Sequence, residues 1–124
     1  MRKRNSMKKK ILIADDDNGI LTALTMMFEY EIISTSNGQT VHEVSKFSPD
    51  LILLDIWMGN VDGRDVCKQL KNQVSTKHIP IIMISARASA EKSALGAGAN
   101  AFIAKPFEMD DLLTKVAQYV AISD

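Results

Sequence analysis

The feature that most constrains this chain is a set of five short, largely apolar runs with helix-like segments between them. They are Ile11-Leu12-Ile13-Ala14, Glu31-Ile32-Ile33-Ser34, Leu51-Ile52-Leu53-Leu54, Ile81-Ile82-Met83-Ile84 and Ala101-Phe102-Ile103-Ala104. Runs this short and rich in branched side chains predict strands buried on both faces, the pattern of a parallel sheet. Parallel neighbours need crossovers, and the intervening segments supply them. Ile20, Leu24, Met27 and Phe28 recur at helical spacing, as do Val66, Leu70 and Val74, and then Leu112, Leu113, Val116 and Val120. Val41 and Val44 mark a helix after Asn37-Gly38, and Ser89 to Leu95 mark a short one ahead of Gly96 and Gly98. Strands and helices alternating in this order predict a doubly wound α/β domain, a five-stranded parallel sheet with helices on both faces, because right-handed crossovers lay helices on both sides.

With 124 residues, 46% of them hydrophobic, the chain can bury one core but not two. The single cysteine, Cys67, has no internal partner, and no stretch approaches the roughly 20 apolar residues of a membrane span. A cytoplasmic domain that engages no membrane is the expectation. The formal net charge of zero hides an asymmetry. Arg2, Lys3, Arg4, Lys8, Lys9 and Lys10 crowd the first ten positions, leaving 9 basic against 15 acidic side chains from Ile11 onward, a net of −6. The folded part should repel nucleic acid. Residues 1–8 read as a disordered basic tail and 9–124 as the domain.

In doubly wound folds ligands bind beyond the carboxyl ends of the strands. There the sequence places Asp15-Asp16-Asp17 after the first run, Asp55 after the third, Ser85 at the fourth and Lys105-Pro106 after the fifth. Carboxylates gathered at one point repel each other, so they take up protons or recruit a cation. Mg²⁺ suits the set, since it takes oxygen ligands and keeps positions open for phosphate. A lysine and a hydroxyl at the same edge supply the charge and hydrogen bond that phosphoryl transfer needs, with Asp55 as nucleophile. Taken singly, Asp55 also reads as an acid opening a loop, Ser85 as a strand-end hydroxyl and Lys105 as a solvated charge. Only their joint placement is specific. Asp17 reads as an N-cap, and Asp62-Gly63 as a turn and cap before the third helix. His42 and His78 lack metal-ligand spacing and read as surface residues, and Met26, Met27 and Phe28 as core.

These residues resemble the receiver domain of two-component response regulators (CheY-like). The resemblance is carried by Ile11 to Asp17, Leu51 to Asp55, Val61-Asp62-Gly63, Ile82 to Ala86, Gly98 to Phe102 and Lys105-Pro106-Phe107, in the family's order, and runs from Lys9 to about Val120. It implies the flavodoxin-like strand order 2-1-3-4-5, which periodicity alone does not give. It also implies that Asp55 is the phosphoacceptor, that Asp15, Asp16, Asp55 and the backbone carbonyl of Trp57 hold Mg²⁺, and that Ser85 and Lys105 bind the phosphoryl group. Phe102 takes the position of the switching aromatic, and Trp57 and Arg87 occupy positions that tune dephosphorylation. The implied partners are a histidine kinase or histidine phosphotransfer protein and an output protein. No output domain follows in this sequence, so output is expected to act through another protein, or through an output domain that has been removed. Lys105-Pro106 is a candidate cis bond.

Two departures stand out. Gly59 falls where family members usually carry proline, which predicts a more mobile loop after Asp55, and Trp57 is bulky for its place. Two rival functions are a magnesium-dependent phosphohydrolase with an aspartyl nucleophile and a pseudo-receiver that only binds proteins. Such hydrolases usually carry a second aspartate where this chain has Trp57, and complete acid and lysine sets argue against the pseudo-receiver.

Overall fold

The computed structural model describes residues 8–15, 18–26, 29–35 and 39–122. Among the described residues seven strands and five α-helices follow in order: β1 (Lys9–Ala14), α1 (Asn18–Thr25), β2 (Tyr30–Thr35), α2 (Thr40–Phe47), β3 (Leu51–Asp55), β4 (Trp57–Met58), β5 (Val61–Asp62), α3 (Gly63–Lys71), β6 (Ile81–Ser85), α4 (Glu91–Gly96), β7 (Ala101–Ala104) and α5 (Met109–Ile122). Five strands form one sheet in the order β2-β1-β3-β6-β7, and every pairing in it is parallel. This is the doubly wound order expected, with all five apolar runs in place.

Strand alternation divides the core into two layers. Leu12, Ala14, Ile52, Leu54, Ile81 and Met83 pack with Val44 of α2, Val66, Cys67 and Leu70 of α3 and Ala94 of α4. The opposite residues, Ile11, Ile13, Leu51, Leu53, Ile82 and Ile84, pack with Ile20 and Leu24 of α1 and Leu112, Val116 and Val120 of α5. Burial on both sides explains why β1, β3 and β6 are runs of apolar residues rather than alternating ones, whereas β2, expected to be buried on both faces, has no buried residue because it is an edge strand.

Three expectations are corrected. Met26 is 71% exposed, because it lies just past the end of α1 and two positions beyond Leu24, off the face that Ile20 and Leu24 turn to the core. Met27 and Phe28 lie outside the described residues. Val74, 82% exposed, is not on the third helix, which ends at Lys71. The Thr76 hydroxyl donates to the Leu70 carbonyl at 2.6 Å, and this cap sends the chain into turns before Val74 can reach the core. Finally, the segment after Asp55 is an antiparallel hairpin, with Trp57 opposite Asp62 and Met58 opposite Val61. Gly59 has φ +55° at the first loop position, where a tight two-residue turn calls for glycine. Glycine in place of proline thus builds a turn rather than a loose loop, and the buried Met58 side chain pins it.

The short fourth helix is present, preceded by a 3₁₀ turn over Ala88–Ala90. His42 and His78 are exposed, as expected.

Candidate functional site

Strand register builds the site. Ala14 lies opposite Leu54, so Asp15 and Asp55 leave adjacent strands at the same level. Asp55 lies opposite Ile84 and Ser85 opposite Ala104, which brings Ser85 and Lys105 to the same edge. The backbone N–H of Lys105 donates to the Ser85 carbonyl at 2.8 Å, and the Lys105-Pro106 peptide is cis. Lys105 Nζ stands 3.3 Å from Asp15 Oδ1 and 3.8 Å from Asp55 Oδ2, one ammonium between two carboxylates. The Asp15 side chain is fully buried and that of Asp55 is 14% exposed.

The electrostatics follow from this crowding. The Asp55 carboxyl is pushed up to about 6 by burial, then by the Asp15 charge, while the Trp57 amide and Lys105 pull in the opposite direction. The Trp57 N–H donates to Asp55 Oδ1 at 3.2 Å. The Ser85 residue is buried, and its hydroxyl oxygen accepts from the Arg87 N–H at 3.0 Å, holding the strand end in a turn while the Arg87 side chain is exposed. Phe102 is half-buried on β7, against the core layer of α2, α3 and α4. It also lines a groove of about 590 Å³ with Phe107, Asp111, Lys115 and Gln118.

The structure therefore brings together Asp15, Asp55, Ser85 and Lys105, and it sets Trp57 beside them. Asp16 and Asp17 lie outside the described residues. Among the described residues no cluster of three His, Cys, Asp or Glu side chains could hold a metal, so the described carboxylates here are the pair Asp15 and Asp55. Repulsion within that pair is the feature that fits a cation.

Two residues around the site escaped sequence reasoning. Asp62 is the N-cap of α3, accepting from the Arg64 N–H at 2.9 Å, as its turn-and-cap pattern predicts. Gly63 does more than turn the chain. A Cβ there would collide with the Asp55 carbonyl oxygen and sit 3.0 Å from Ile56 Cα, so only glycine lets α3 start against the end of β3. Arg64 reaches from α3 to Trp57, with its guanidinium carbon 4.8 Å from the ring centroid. No sequence signal marks that contact.

A family model described as "Response regulator receiver domain" matches residues 11–117. The nisin biosynthesis regulatory protein NisR of Lactococcus lactis subsp. lactis is 41% identical over 117 residues, which are 89% of this chain and 49% of that protein. The chain thus spans about half the length of this curated relative. A response regulator from Chloroflexus aurantiacus J-10-fl has a crystal structure that superposes with TM-score 0.83 at 30% identity, covering 93% of this chain and 99% of that one. A receiver domain of a sensor histidine kinase from Pseudomonas aeruginosa PAO1, solved with magnesium coordinated in its active site cleft, shares the fold at TM-score 0.81 and 23% identity, over 93% of this chain and 99% of that one. No described helix is long and apolar enough to cross a membrane. With the fold and the family model in agreement, the chain belongs to the receiver domain family of response regulators.

Proposed function

We propose that this receiver takes a phosphoryl group on Asp55 from a histidine kinase or histidine phosphotransfer protein, and that phosphorylation changes its binding to an output protein. The observation that carries the reading is Lys105 Nζ held between the carboxylates of Asp15 and Asp55. An ammonium there pairs with an incoming phosphoryl oxygen while leaving an Asp55 oxygen to act as nucleophile. That oxygen attacks phosphorus, the phosphorus–nitrogen bond of the donor phosphohistidine breaks, and the imidazole leaves with the electron pair. Asp15, Asp16, Asp55 and the Trp57 carbonyl would hold Mg²⁺, which neutralises phosphoryl charge when bound. The magnesium-bearing receiver domain from Pseudomonas aeruginosa offers a precedent in the same fold. The buried Ser85 hydroxyl would hydrogen-bond the phosphoryl group, and Phe102 would carry the change to the groove between β7 and α5, the surface for the output partner. In this reading the domain is a cytoplasmic signalling switch.

Treatment with acetyl phosphate and Mg²⁺ should add one phosphoryl group by intact mass, and chelation of the metal should prevent it. An unmodified mass with Mg²⁺ present would remove the basis for the proposal.

Dephosphorylation should be slow. Hydrolysis needs water in line with the acyl phosphate bond, and two positions beyond Asp55 stands an indole, while Arg87 offers no carboxylate or amide acceptor to orient that water. Trp57→Asn is expected to speed loss of the phosphoryl group roughly tenfold, about 1.4 kcal/mol in the barrier. Decay of the phosphorylated mass after removal of the donor measures it, and equal decay in parent and variant would mean that the indole shields nothing.

A further inference from the structure

The Trp57 indole is half exposed, yet one side chain reaches it together with two other elements. Arg64, the second residue of α3, uses three sides of its guanidinium at once. Its Nε donates to Asp62 Oδ1 at 2.9 Å and its Nη2 to Asp62 Oδ2 at 2.8 Å. Its Nη1 donates to Ser93 Oγ on α4 at 3.1 Å. Its guanidinium carbon lies 4.8 Å from the Trp57 ring centroid, within cation–π range.

None of these partners is incidental to the others. Asp62 faces Trp57 across the hairpin and also caps α3 by accepting from the Arg64 N–H, so the residue that holds the guanidinium is itself fixed at both ends. The Ser93 hydroxyl donates to the Ala90 carbonyl at 3.0 Å, which leaves its oxygen to accept from Arg64. A partly exposed ion pair such as Arg64–Asp62 contributes little stability. Orientation is another matter, because a planar fork satisfied in plane presents its face in one direction. Lysine, a point charge on a flexible stem, cannot reproduce fork, face and third donor together.

We propose that Arg64 is a positioning residue for the phosphorylated state: it clamps the Trp57 indole beside Asp55 and ties that clamp to α4 through Ser93, so that phosphoryl lifetime depends on it. The inference rests on the reading of Asp55 as phosphoacceptor. The Trp57 N–H on Asp55 Oδ1 anchors the backbone of the same residue whose ring Arg64 holds, so the hairpin that carries the ring is tied to the acceptor at the end of β3. Ser93 lies on α4, the helix after the turn that follows Ser85 at the end of β6, and the clamp therefore links the hairpin after Asp55 to the segment after Ser85.

Trp57 is the single tryptophan, so acrylamide quenching of its fluorescence reports the clamp directly. Quenching and phosphoryl lifetime are measured in the parent, Arg64→Ala, Arg64→Lys and Ser93→Ala, and lifetime also in Trp57→Asn and Trp57→Asn/Arg64→Ala. Arg64→Ala should raise quenching about twofold and shorten the lifetime roughly three- to tenfold. Arg64→Lys should fall between Arg64→Ala and the parent, and Ser93→Ala should shift both readouts less, in the same direction. The double variant should decay no faster than Trp57→Asn alone. The proposal is overturned by parental quenching in Arg64→Ala, by raised quenching with parental lifetime, or by further acceleration in the double variant, which would mean that Arg64 acts apart from Trp57. A parent that takes up no phosphoryl group defeats the Asp55 reading and the clamp's role in lifetime with it. In that case the quenching series still shows whether Arg64 holds the indole.

Discussion

Asp55→Asn takes up no phosphoryl group, and in the absence of divalent ions it unfolds at a higher temperature than the parent at neutral pH. Both outcomes have one cause. The carboxylate that would attack phosphorus is largely buried and held beside Asp15 with one lysine between them, and burial first, then the Asp15 charge, pushes its pKa up to about 6. In the unfolded chain the same group titrates near its ordinary value of about 4. The folded state therefore binds the proton more tightly, and stability falls as pH rises from about 4 to about 6, the cost being complete above the folded pKa. Asparagine removes that cost, so the variant should gain about 1–3 kcal/mol at pH 7.5, a gain that vanishes toward pH 4. Thermal melts across that range, with and without Mg²⁺, measure it. Added Mg²⁺ should stabilise the parent more than the variant. A variant no more stable than the parent at pH 7.5 would show that neither burial nor Asp15 raises the cost of the Asp55 charge.

Gly63→Ala should destabilise the domain by about 2–3 kcal/mol, because the new methyl group meets backbone and no flexible side chain can move aside. Its neighbours would be the Asp55 carbonyl and Ile56 Cα, and the Gly63 N–H already donates to the Ile56 carbonyl at 2.6 Å. Relief requires α3 to withdraw from the end of β3, which carries the acceptor. In a domain of this size the midpoint of thermal unfolding should drop by roughly 10 °C, and phosphorylation should slow even at temperatures where the variant is folded. Parental stability would mean that the helix start can shift without cost.

How much of this was legible depends on the range of each interaction. The five strands were, since β1, β3 and β6 are buried on both sides and two-sided burial writes itself as runs of apolar residues, and so were Asp15, Asp55, Ser85 and Lys105, because parallel register brings residues that end strands to one edge. Val74 was misplaced where α3 ends at Lys71 and the Thr76 hydroxyl takes up the Leu70 carbonyl, which cancels a periodic pattern, and Met26 was misplaced because apolar character was read without its position off the buried face of α1. Gly59 suggested looseness because local sequence shows the loss of proline's rigidity but not the hairpin pairing that turns positive φ to use. Gly63 read as a turn residue, since nothing local reveals that β3 passes within contact of it. Arg64 carried no signal at all. Its partners Asp62, Trp57 and Ser93 are joined only by tertiary structure, and the spacing from Arg64 to Ser93 matches no local motif.

The account turns on Asp55 as acceptor. After treatment with acetyl phosphate and Mg²⁺, borohydride reduction of the acyl phosphate followed by peptide mass sequencing would mark the modified residue. The account predicts a single mark, at Asp55. A mark at Asp15 or Asp16 with Asp55 intact would contradict it.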